Sequence, residues 1–83
     1  MSEVIKSTGY RELSHVVKTN NGNYYMVDSN DTPDRGYETM IFTWDEQEDE
    51  VESYMDIFCE WHESYSQMQE RHYYIIEHLE EFV

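Results

Sequence analysis

Eighty-three residues carry 19 acidic side chains against 5 Lys and Arg, a formal net charge of −14, with a mean hydropathy of −0.89. A chain this short buries only ~60–65% of the surface its unfolded form exposes, so the length admits one domain, residues 1–83, with a thin core. The charge argues against direct binding to nucleic acid or anionic lipid, and eight tyrosines among 16% aromatic residues are too many for a disordered acidic tail.

The acids are unevenly placed: thirteen of them fall in residues 45–83, where Arg71 is the one base. Crowded like charges oppose the compact state, so the asymmetry asks for a purpose. A single cysteine, Cys59, excludes an internal disulfide and fits a reducing compartment, which makes the cytoplasm the expected location. No apolar run reaches the roughly 18 residues of a membrane span, and the amino-terminal stretch lacks the basic and apolar regions of a signal peptide.

Taken in order, residues 13–18 and 23–28 are short Val- and Tyr-rich segments separated by Thr19-Asn20-Asn21-Gly22. Asn21-Gly22 supplies the positive φ angles of a tight turn, so a β-hairpin is predicted. A polar loop over residues 29–35, with Pro33, is closed by Gly36. A third strand over residues 36–44 follows. There Met40, Phe42 and Trp44 alternate onto one face, assigned to the core, and Glu38 breaks that face near its start.

Residues 51–61 fit two patterns. As a strand, Val51, Met55, Ile57, Cys59 and Trp61 share one face with Ser53, and Glu52, Tyr54, Asp56, Phe58, Glu60 and His62 share the other. As a helix, Val51, Tyr54, Met55, Phe58 and His62 form a stripe, with Thr43 and Glu46 as a capping box. The last segment is helical: Ser66 and Gln69 form a candidate capping box, and Met68, His72, Ile75, Ile76, Leu79 and Phe82 recur at helical spacing. The expected fold is α+β, an antiparallel meander of three to four strands with a carboxy-terminal amphipathic helix. The alternative is three strands followed by two helices.

The run Gly36-Tyr37-Glu38-Thr39-Met40-Ile41-Phe42, an acidic turn, Val51, Tyr54, the stretch near Trp61 and His62, and a helix carrying His72 together resemble a family of small uncharacterised phage and prophage proteins. The seven-residue strand is the most specific part of a likeness that covers roughly residues 24–80. The family's acidic turn is a Gly-containing hairpin, which favours the strand pattern for residues 51–61. This chain departs from it at Gln47-Glu48-Asp49-Glu50, which has no glycine, and at Arg71-His72, where the family tends to carry Gly-His. The resemblance implies a phage setting, and no chemistry travels with it.

The acidic stripe is the leading site candidate. On a strand Glu48, Glu50, Glu52, Asp56 and Glu60 share a face at multiples of about 6.6 Å. On a helix Glu52, Asp56, Glu60 and Glu63 do so about 6 Å apart. Such a row, with Asp49 beside it and Tyr54 and Phe58 as packing contacts, imitates a nucleic-acid backbone and suits the Lys and Arg groove of a DNA-binding protein. The plain alternative is a solvated face that serves solubility, but solubility needs a net charge of magnitude only about 2–8 with both signs mixed. Glu77, Glu80 and Glu81 crowd the end of the last helix, where acids are disfavoured, and form a second, less defined patch.

Metal ligation finds little support. Asp28, Asn30 and Thr32 begin like a calcium loop, but Pro33 stands where glycine is needed; Cys59 and His62 face opposite ways on a strand, which disfavours zinc with His72 or His78. Cys59 is assigned to the core as a small hydrophobe and His72 to a partly buried helix position. No phosphate loop, nucleophile elbow or carboxylate pair with divergent surroundings marks an enzyme, and no cofactor is expected. The functional expectation is a phage-encoded acidic inhibitor that mimics DNA and blocks the nucleic-acid-binding groove of a host defence or DNA-processing protein, such as a CRISPR nuclease, a restriction enzyme or a repair glycosylase. The rival is an acidic, non-enzymatic phage accessory protein acting through protein association or oligomerisation.

Overall fold

The computed structural model describes residues 2–83. Its fold is α+β: a six-stranded antiparallel sheet backed by one carboxy-terminal helix. The strands are β1 Glu3–Ser7, β2 Leu13–Lys18, β3 Tyr24–Thr32, β4 Gly36–Asp45, β5 Glu50–Val51 and β6 Phe58–His62, followed by α1 Tyr65–Glu77 and a 3-10 turn Leu79–Glu81. Strands β1 to β4 run as a meander, and β5 and β6 both pair with β4. No helix among the described residues is long and apolar enough to cross a membrane.

The predicted hairpin is β2–β3, closed by Gly22 N–H donating to the Thr19 carbonyl and Thr19 N–H to that of Asn23. Gly22 takes φ 89°, the left-handed conformation a residue without Cβ adopts at little cost, whereas Asn21 does not share it. The expected loop at residues 29–35 shrinks to a turn, because β3 runs on to Thr32, which pairs with Gly36. Strand β1 has no counterpart among the expected elements. All five of its residues are exposed, so it carries no alternation to read.

The sheet is apolar on both faces. On the helix side Val17, Val27 and Ile41 pack beneath Ile75, Ile76 and Leu79, with Tyr25, Phe58 and Phe82 around them. On the opposite side Val16, Met26, Phe42, Trp44 and Val51 form a second cluster that Tyr24 and Met40 extend. Met40, Phe42 and Trp44 therefore share a face as expected, but the side-chain period of two puts it opposite the helix and hands the helix side of β4 to Ile41. Burying each such aliphatic side chain stabilises by roughly 1.5–3 kcal/mol.

Helix α1 begins at Ser64, whose hydroxyl accepts from Gln67 N–H at 3.1 Å, while Gln67 Oε1 accepts from Glu63 N–H at 2.6 Å. The reciprocal cap thus sits two residues before the expected Ser66 and Gln69. Met68, His72, Ile75 and Ile76 form its buried stripe.

Candidate functional site

The acidic segment is built on the β4–β5 hairpin. Asp45 Oδ1 accepts from the backbone N–H groups of Gln47 and Glu48 at 3.0 Å each, so a short side chain nucleates the turn that a glycine would otherwise make. Asp49 takes φ 58°, and its carboxylate pairs with Lys6 of β1. Glu46, Glu48, Glu50 and Glu52 stand exposed beside it.

Residues 51–61 are neither a helix nor an unbroken strand. Trp44 pairs with Val51 and Ile41 with Phe58, so β4 advances three residues while the opposing chain advances seven. Four residues, 53–56, leave the ladder and protrude. The backbone holds on either side: Glu52 N–H donates to the Thr43 carbonyl at 2.9 Å and Ile57 N–H to that of Ile41 at 2.8 Å. Ser53 Oγ accepts from Met55 N–H at 3.2 Å and folds the protrusion back on itself. Tyr54 and Met55 are 77% and 80% exposed there, flanked by the exposed acids Glu52 and Asp56.

The single stripe does not survive this geometry. Glu48, Asp49, Glu50, Glu52, Tyr54 and Asp56 gather on the hairpin and protrusion, but Phe58 and Glu60 belong to the face of β6 that meets the helix, because they pair with Ile41 and Thr39. Phe58 packs on the core, its ring 5.2 Å from that of Phe82. Glu60 is held by Arg71 through two bonds of 2.8 and 2.9 Å, so its charge is neutralised. The Arg71 guanidinium gains basicity mainly from that bond. Glu63 is exposed just before α1, apart from the hairpin in sequence.

A chain of polar groups, buried except for the half-buried His15 at one end, crosses the interface between helix and sheet, and sequence spacing offered no sign of it. His15 Nδ1 lies 2.9 Å from His72 Nε2, His72 Nδ1 2.7 Å from Ser29 Oγ, Ser29 Oγ 2.6 Å from Thr39 Oγ1, and Thr39 Oγ1 2.9 Å from His62 Nε2. Burial drives the His72 imidazole down to about 3, with His15 adding a smaller push, and burial also lowers His15 and His62. His72 is fully buried, not partly as expected. Ser29 and His72 have the spacing of a nucleophile and its base, but Ser29 is 3% exposed and its hydroxyl is engaged on both sides, by His72 and by Thr39.

The carboxy-terminal acids have separate tasks. Glu80 accepts from Asn20 N–H at 3.0 Å and from Ser2 Oγ at 2.9 Å, contacts that hold its carboxyl below the usual range, led by the Asn20 bond. Glu81 lies 3.3 Å from His78 Nδ1, and Glu77 is exposed. Among the described residues no group of three or more His, Cys, Asp or Glu is placed to hold a metal ion. No family model, no curated protein and no solved structure matches this chain.

Proposed function

We propose that this chain is a phage-encoded, non-enzymatic inhibitor that mimics DNA and docks its β4–β5 hairpin and the protrusion at 53–56 into the basic groove of a host defence or DNA-processing protein. The observation that carries this reading is the protrusion itself. It thrusts Tyr54 and Met55 into solvent between Glu52 and Asp56, beside the exposed Glu46, Glu48 and Glu50. Exposing large apolar side chains costs solubility, and an aromatic anchor ringed by charge is the composition of a binding surface. In this reading the carboxylates take the part of phosphates, and Tyr54 and Met55 supply packing contacts. Phage origin rests on the resemblance carried by residues 36–42. The cytoplasm of the host follows as the place of action.

The test is competition. The protein is mixed with a basic nuclease it inhibits, and duplex DNA is titrated at low and moderate salt. DNA displaces the protein, binding weakens as salt rises, and reversing Glu48, Glu50, Glu52 and Asp56 to Lys cuts affinity by about tenfold or more. Inhibition that DNA never relieves, or that survives the reversal, removes the mimic reading.

A further inference from the structure

The sheet face away from the helix carries a hollow that the acidic hairpin does not explain. It has a volume of about 500 Å³, and its walls include Met26 and Asp28 of β3, Glu38, Met40 and Phe42 of β4, Tyr54 of the protrusion, and the side chains of Arg11 and Arg35 at its rim. Its floor follows from strand register, since Met26 pairs with Phe42, Asp28 with Met40, and Asn30 with Glu38. Asp28 and Glu38 are thus diagonal neighbours on adjacent strands, about 7–8 Å apart at Cα.

Glu38 is only 4% exposed, and Asp28 is largely buried. Each carboxylate has one oxygen engaged: Arg35 donates to Glu38 Oε1 at 3.2 Å, and Arg11 Nε to Asp28 Oδ2 at 3.3 Å. The other two oxygens, Glu38 Oε2 and Asp28 Oδ1, are buried without a hydrogen-bond partner among the described residues. A charged acceptor shut away from water with no donor is costly, and Val or Thr would cover the same sheet at no such expense. Arg11 and Arg35 are about half exposed and each makes a single-point contact to its buried carboxylate, so either guanidinium can swing out to water and open the carboxylate to a better-placed donor.

We infer that this hollow receives the guanidinium of an arginine side chain presented by a protein partner. A guanidinium is planar with five donors, so it can satisfy two acceptors on neighbouring strands at once. Its flat face suits Phe42 and Tyr54, whose ring centroids lie 6.2 Å apart, edge to face. Met26 and Met40 line the path for its methylene stem. An anion would have to take Arg11 and Arg35 from Asp28 and Glu38, leaving both carboxylates without a cation in a chain of net charge −14, and a compact ammonium reaches one carboxylate at a time. That the arginine belongs to a protein rests on the mimic reading above; the hollow and its acceptors do not.

The methionines give the test its own controls, because Met26 and Met40 line the hollow, Met55 stands on the protrusion and Met68 is in the core. With 13C-methyl methionine labels in the whole chain, titration with N-acetyl-arginine methylamide shifts Met26 and Met40 saturably and leaves Met55 and Met68 in place. The citrulline analogue, which has the shape without the charge, shifts none of them. Glu38→Gln weakens the arginine titration about tenfold or more while the Met68 resonance stays put, which separates lost binding from lost folding. No saturable shift at Met26 and Met40, equal response to citrulline, or undiminished binding by Glu38→Gln overturns the site. Free arginine binding more tightly than the blocked form overturns a protein-borne source. Arginine binding that persists where DNA never competes for the nuclease removes the mimic reading and leaves the hollow standing.

Discussion

At the scale of single residues, the polar chain from His15 to His62 is satisfied only by neutral imidazoles. Each neutral ring offers one donor and one acceptor, so the five groups must all point the same way along the chain. Glu60 Oε2, 3.6 Å from His62 Nδ1, attracts an N–H there more than a lone pair and selects one direction. His15 then donates to His72, His72 to Ser29, Ser29 to Thr39 and Thr39 to His62. A proton added to His72 leaves one of its nitrogens without an acceptor, which accords with an imidazole held at about 3. That folded value lies below the roughly 6.5 of an unfolded histidine, so its contribution to stability is complete above about pH 6.5 and is lost as pH falls toward the folded value. Each excluded proton tilts stability by ~1.4 kcal/mol per pH unit across that window. Denaturant melts between pH 7 and pH 4 will show this decline, and His72→Gln will flatten it; an equal slope in the variant would assign the loss to other groups.

At the scale of elements, the parts legible in the sequence were those with a local signal. The β2–β3 hairpin announces itself through Gly22 and flanking Val and Tyr, β4 through its alternation, and α1 through Met68, His72, Ile75 and Ile76. The strand pattern for residues 51–61 held on both flanks, because a four-residue excursion is even and leaves the alternation in phase. For the same reason the excursion was invisible, and so was the direction of the faces, which put Glu60 and Phe58 under the helix rather than in the acidic site. Strand β1 was unreadable because it buries nothing. The hollow depends on Asp28 and Glu38 meeting across strands, which no spacing within one segment reveals. The even length gives a prediction. Deleting residues 53–56 brings Glu52 and Ile57 into continuous register opposite Thr43 and Phe42, so circular dichroism will report an intact fold while inhibitory binding is lost. Unfolding of the deletion variant would show that the protrusion supports the sheet.

At the scale of the whole molecule, a net charge of −14 on 83 residues sets a repulsion that few internal cations relieve. Monovalent salt screens exposed charges beyond a Debye length of about 10 Å at 0.1 M, so the melting temperature should rise with added salt even as partner binding weakens. A melting temperature that falls or stays flat would mean that pairs such as Glu60 with Arg71 outweigh the repulsion. The meander also has a kinetic side. Neighbouring strands from β1 to β5 are joined by short connections, so each pairing closes a small loop at little entropic cost and the sheet can zip hairpin by hairpin. The hydroxyls and imidazoles of residues 15, 29, 39, 62 and 72 come from β2, β3, β4, β6 and α1, and they line up only when all five elements are in place. The chain they form is therefore a lock that closes last, and exchange of the His72 ring protons would time the final step of folding.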